Sequence, residues 1–279
     1  TLTWMEIPEW QKDNEYILSG YRRVQNHWGG CIASVFTYLH NETVNIHSHL
    51  GGALIFVFIL STFHSTYIPL YPTTTWLDSA VFAVFLVSAV FCLAASAIFH
   101  MATCHSQDIS SRCHALDYSG IVVLTVGSFY PSIYYGFFCE PIFQIIWLVT
   151  ITLAGLGAAY IVLNPEYAKP THRGARTKVF IGLGLSAVAP VSQLVVAQGV
   201  DKLIQQGFGY LLAAGALYIC GALIYANRIP ERLAPGRFDY WFASHQIFHV
   251  CVVMAAVSTH VCVLTAFHYR HSGEDTCTP

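Results

Sequence analysis

The chain has 279 residues, 55% of them hydrophobic and only 10% charged, against about 25% charged in soluble globular domains. That composition excludes an ordinary soluble domain and indicates a polytopic membrane protein. The formal net charge of −2 says little about partners, and no nucleic-acid-binding patch is present, since the basic residues are distributed as membrane topology would place them.

The first 45 residues are polar and aromatic, and no short apolar core follows a basic start, so no cleavable signal peptide is expected. The chain opens at Thr1 rather than Met, and a further N-terminal piece is expected to precede it. Residues 1–43 form an N-terminal arm with Trp4, Trp10, Tyr16, Tyr21 and Trp28, suited either to the membrane surface or to solvent. A transmembrane domain is expected over 44–268 and a tail over 269–279.

Seven gaps without Asp, Glu, Lys or Arg follow, at 43–77, 79–107, 118–139, 141–165, 179–200, 203–227 and 240–269. Each is long enough for a helix to cross the hydrocarbon, which takes about 20 residues. Backbone groups in lipid must be satisfied within the segment, and barrel-strand alternation is missing, so the runs predict helices. They are placed near 44–65, 77–101, 115–135, 141–163, 178–198, 204–226 and 242–267, with Pro190 kinking the fifth. The fold class is an all-α seven-helix bundle.

Eleven Lys and Arg residues fall on the N-terminal side: Lys12, Arg22, Arg23, Arg112, Lys169, Arg173, Arg176, Lys178, Arg228, Arg232 and Arg237. Only Lys202 and Arg270 fall on the other. By the positive-inside rule the N-terminus is cytoplasmic and the C-terminus external, inverted relative to G-protein-coupled receptors.

This topology gathers distant residues at one depth. His100 closes the second helix with Ser96 one turn deeper, Asp117 opens the third, and His245 and His249 open the seventh. Residues four apart share a helix face. Three imidazoles beside a carboxylate match a catalytic zinc site, which takes three protein ligands and leaves a fourth position open. Separate interhelical hydrogen bonds are the alternative for each histidine, and a helix N-cap is the alternative for Asp117. His47, His49, His105 and His114 are weaker ligand candidates, and His260 is expected to be a satisfied interior histidine.

Other signals are set aside. Gly182-Leu183-Gly184-Leu185-Ser186-Ala187 fits a dinucleotide pattern, but no strand precedes it; its glycines are expected to allow close helix contact. Asn41-Glu42-Thr43 is a formal glycosylation acceptor on the cytoplasmic side, where it would be unused. The nine cysteines show no disulfide-like spacing and are expected to be buried free thiols.

Several motifs resemble the progestin and adipoQ receptor family. They are Ser96-x-x-x-His100, Cys104-His105-Ser106, Leu116-Asp117-Tyr118-Ser119-Gly120-Ile121, Gly127-Ser128-Phe129 and Tyr134-Tyr135. Asn41-Glu42-Thr43 with Asn45-Ile46, Arg228-Ile229-Pro230-Glu231-Arg232, Pro235-Gly236-Arg237-Phe238-Asp239 and Ser244-His245-Gln246-x-x-His249 complete the set. The resemblance covers nearly the whole membrane region and is strongest to the adiponectin-receptor branch with its fungal relatives, tied to zinc and lipid homeostasis. It implies Zn2+ held by His100, His245 and His249, with Asp117 holding a water at the metal and Ser96 nearby, in a multi-pass protein expected in the plasma membrane. It also implies hydrolysis of a ceramide-like lipid amide, with membrane lipids and a possible external protein ligand as partners. A pure receptor with structural zinc is the alternative; a zinc sensor or transporter fits less well, because the ionisable residues cluster at one face.

Overall fold

The computed structural model describes residues 1–164, 172–273 and 277. Lys169 and residues 274–276, 278 and 279 of the tail predicted from residue 269 onward lie outside the described residues. Ten α-helices are present among them. A short helix α1 (Trp28–Thr37) precedes α2 (Thr43–Thr66), α3 (Trp76–Ala102), α4 (Gln107–Gly136) and α5 (Pro141–Val162). Then come α6 (Arg173–Leu185), α7 (Val188–Gln198), α8 (Val200–Gln205), α9 (Phe208–Asn227) and α10 (Ser244–His271).

Six segments are long and apolar enough to cross a membrane: Thr43–Leu70, Trp76–Ala102, Pro141–Val162, Gly174–Gln198, Phe208–Asn227 and Ser244–His271. They agree with six of the seven predicted helices. On α5, Ile142, Ile145, Val149, Leu153, Leu156 and Tyr160 form an exposed apolar stripe at helical spacing, a surface that fits lipid and not water.

The predicted third span differs. α4 has 30 residues, on the order of 45 Å at the helical rise, yet it falls outside the apolar set. Its Thr125, Ser128 and Ser132 face an internal cavity, which lowers its apolarity without exposing polar groups to lipid. The helix also starts at Gln107, well before the predicted 115, so Asp117 lies in its third turn and is not an N-cap.

Local chemistry explains the boundaries. Thr75 and Asp78 form a capping box at the start of α3, with the Thr75 N–H donating to Asp78 Oδ2 at 2.8 Å. The expected Pro190 kink is a break: α6 stops at Leu185 and α7 begins at Val188. Proline removes a donor and crowds the carbonyl four residues back, which here is Ser186, inside that break.

The spans pack in chain order into a ring, α2 on α3, α3 on α4, α4 on α5, α5 on α6, α6 on α9, α9 on α10, and α10 back on α2. Phe56, Phe82, Phe85, Leu93 and Phe267 form a core between α2, α3 and α10. The close helix contact expected at Gly182 and Gly184 is absent, since nothing lies within 4 Å of a Cβ built at either. It occurs instead where α4 crosses α3: a Cβ on Gly120 would sit 2.9 Å from Cys92 Cα, and one on Gly127 would collide with Ser88.

The N-terminal arm packs against the bundle. Leu2 and Tyr21 pair as an antiparallel bridge, and the arm folds across the helix ends that carry the histidines. Asp239 accepts from the Leu18 N–H at 3.0 Å and the Ser19 hydroxyl at 2.6 Å, while Asn14 donates to Glu231 at 3.0 Å. At the opposite face a buried Asp78 binds Tyr135 at 2.8 Å and His271 at 3.1 Å, joining α3, α4 and α10. One cysteine expectation fails there: Cys139 and Cys277 form a disulfide, 138 residues apart. The other seven cysteines are free thiols, five of them buried, Cys251 partly so and Cys220 exposed.

Candidate metal centre

His100 lies two residues before the end of α3, and His245 and His249 occupy the first two turns of α10. Their ligand atoms all lie within 4.8 Å of one another, and among the described residues no other group of three or more His, Cys, Asp or Glu side chains converges this way. His100 and His249 are each 2% exposed. The rings stand edge to face, with His100 centred 4.8 Å from His245 and 4.6 Å from His249.

The residues fit a metal ion by their donor chemistry. His100 Nε2 is buried without a hydrogen-bond partner, an arrangement costing about 1–3 kcal/mol unless something is bound there. Its other nitrogen, Nδ1, donates to Glu42 Oε2 at 2.7 Å. Glu42 also accepts from the Asn45 side-chain amide at 2.6 Å. His249 Nδ1 meets the Asn45 carbonyl at 3.2 Å. One turn at the start of α2 therefore orients two ligands from two other helices, as the outer partners of metal-bound imidazoles do. Burial alone would push the Glu42 carboxyl up, but His100 and Asn45 hold it below the usual carboxylate range.

His49 is buried and stacks on His249, centroids 3.7 Å apart and planes 10° from parallel. Tyr225 packs against His245 at 4.9 Å. Ser96, one turn deeper on α3, lines the same end of the cavity as Asp117. The other histidines stand outside the group. His47 binds the Thr43 carbonyl, His105 binds Ser106, and His114 stacks on Phe99 and packs at a tilt against Tyr118. His260 lies among Phe82 and Phe85, and its Nδ1 lacks a partner, contrary to the expected satisfied histidine.

A cavity of about 940 Å³ opens from the histidines into the bundle. Its polar end holds Ser96, His100, Asp117, His245 and His249, and its far end is lined by Ile133, Phe137, Val191, Leu194 and Phe208. Such a volume accommodates a lipid-sized ligand.

Three residues that support the centre were missed in sequence. Glu42 holds His100. Glu231 accepts from the Ser244 N–H at 2.8 Å and from its hydroxyl, fixing the start of the helix that carries both other histidines. Arg22 grips the end of α3 through the His100 and Met101 carbonyls and the Thr103 hydroxyl. Glu42 and Glu231 lie in motifs quoted above, but only the folded chain shows their partners.

A family model described as haemolysin-III related matches residues 37–260. The chain is 38% identical over 258 residues to progestin and adipoQ receptor-like protein 1 of Caenorhabditis elegans, covering 91% of this chain and 58% of that protein. It therefore spans little more than half of that relative's length. It is 39% identical over 257 residues to ADIPOR-like receptor IZH2 of Saccharomyces cerevisiae, covering 91% and 80%. Heptahelical transmembrane protein 1 of Arabidopsis thaliana is 34% identical over 279 residues, covering 96% and 82%. The apolar helices and these relatives make this a multi-pass integral membrane protein. His100, Asp117, His245 and His249 all fall inside the matched region, and the chain belongs to the haemolysin-III related family, with the progestin and adipoQ receptor proteins among its members.

Proposed function

We propose that the chain is an adiponectin-receptor-like protein that hydrolyses lipid amides at a zinc ion held by His100, His245 and His249. The observation that carries this is the junction of two environments in one cavity: three converging imidazoles beside Asp117, continuous with an apolar chamber. His100, His245 and His249 would hold the ion, and zinc bound there would supply Lewis acidity for a carbonyl and for an attacking water, whose pKa it lowers to about 7.

The protein's own groups do the rest. Glu42 fixes the His100 tautomer by accepting its Nδ1 proton, and the Asn45 carbonyl and stacked His49 set the His249 ring. The Asp117 carboxylate, which lines the same end of the cavity as Ser96, accepts the water proton and returns it to the departing amine nitrogen. The apolar chamber takes the acyl chain from the bilayer and excludes bulk water.

α4 is the seventh span, because its length suffices and its polar side is turned to the cavity. The histidine face is cytoplasmic and the opposite face external. Support comes from the eleven-to-two Lys and Arg bias and from the Cys139–Cys277 disulfide on the opposite face, since disulfides persist in oxidising compartments. The plasma membrane is the proposed location.

A second reading, a ligand receptor with structural zinc, draws on the relatives named as receptors. Purified zinc-loaded protein incubated with ceramides of varied acyl length distinguishes the two. Free fatty acid should appear with loaded protein and fall to background after chelation; equal release from both preparations removes the hydrolase reading.

A further inference from the structure

A second chemical pair lies on the histidine face, outside the metal centre. Cys31, on the inner side of α1, and Cys104, in the turn after α3, are 0% and 1% exposed to bulk solvent. Their sulfurs are 3.6 Å apart. A disulfide bond is about 2.0 Å long, so modest side-chain rotation brings them to bonding distance. Cys104 lines the cavity together with Arg22 and Thr103, giving a small oxidant access. Among the described residues no third side chain joins them into a metal-ligand group.

We propose that Cys31 and Cys104 are a reversible dithiol–disulfide pair, oxidised by hydrogen peroxide, that fastens α1 to the chain just beyond His100. Cys104 opens on the cavity beside Arg22, whereas Cys31 is fully enclosed and does not line it, so Cys104 is the sulfur that peroxide reaches. Cys104 is therefore the attacking thiolate. It takes one peroxide oxygen, the O–O bond breaks, hydroxide leaves, and a sulfenic acid forms. The Cys31 sulfur then attacks that sulfur, the S–S bond forms, and the expelled hydroxide leaves as water with the Cys31 proton. Two thiols lose two electrons, and one peroxide becomes two waters. The link bears on the metal centre's support, because Arg22 and Thr103 already meet at this turn.

The test uses the full chain, zinc-loaded and in detergent. After brief peroxide treatment, free thiols are blocked and the protein is cut with trypsin and chymotrypsin together, because trypsin alone leaves both cysteines on one peptide. Mass spectrometry should show peptides 29–36 and 100–112 joined, replacing most of their blocked forms, and dithiothreitol should restore the thiols. Cys31→Ser and Cys104→Ser should each lose the link, and Cys113→Ser should keep it. Unlinked peptides, a link from either thiol to a different cysteine, or overoxidation that dithiothreitol cannot reverse would overturn the proposal. The wild-type result decides the matter even if a serine variant misfolds. It is also independent of hydrolysis, which is read separately.

Discussion

Glu42, the residue just before α2, receives the Nδ1 proton of His100 at 2.7 Å across 58 positions of sequence. That bond leaves Nε2, the nitrogen without a protein partner, as the candidate ligand atom. Glu42→Gln keeps the shape but weakens the bond, and Glu42→Ala removes it. Outer partners of metal-bound histidines are worth about 10–100-fold in affinity. Glu42→Ala should lose affinity in that range and Glu42→Gln less, measured by competition with a chelating dye. Unchanged affinity in both variants would leave Glu42 outside the centre.

The ligand set predicts one zinc per chain. His245→Ala and His249→Ala should each sharply reduce the zinc measured by elemental analysis of purified protein, and His260→Ala should not. Full occupancy in the His245→Ala, His249→Ala double variant would move the site to other histidines.

Asp117→Asn separates chemistry from structure. The amide keeps the volume and one carbonyl acceptor, but it cannot take up a proton. It should retain zinc and thermal stability while lipid-amide hydrolysis falls by about 10²–10⁴-fold, the usual contribution of a positioned acid or base. Loss of zinc and stability together would make the residue structural. Retained zinc with unaltered hydrolysis would place the reaction elsewhere.

Orientation is open to direct labelling. In a cysteine-depleted background in intact cells, an impermeant thiol reagent should modify a cysteine placed at 200–203 and spare one at 172–176. The reverse pattern would put the histidine face outside.

Much of the fold was legible because the solvent imposes it. Lipid forbids stray charges, so charge-free runs located the spans within a few residues, and His245 with His249 followed from helical spacing once depth was known. The start of α4 was obscured by Asp108 and Arg112, which made a helical turn read as a loop. Their 3.2 Å pairing at i, i+4 is itself a helix signal. Glu42 was not legible as a positioning group, because its partner is on another helix and its position at a helix end has a sufficient local reading. Cys139 and Cys277 carried no spacing pattern to expose their bond. Glycine contact was foreseen as a device but assigned to Gly182 and Gly184 on α6, where no neighbour comes within 4 Å of an added Cβ, since sequence does not say which face of a helix meets another.

Glu231 and Asp239, which hold the first part of the arm, lie between α9 and α10, and two of the three histidines lie on α10. Synthesis proceeds from the N-terminus, so Arg22 can grip the end of α3 early, while Asn14, Leu18 and Ser19 gain their partners only after α9 has been made. A nascent chain halted before α10 carries His100 alone of the three histidines. Metal capture thus waits for the last helix, and metal content becomes a report on completed biogenesis.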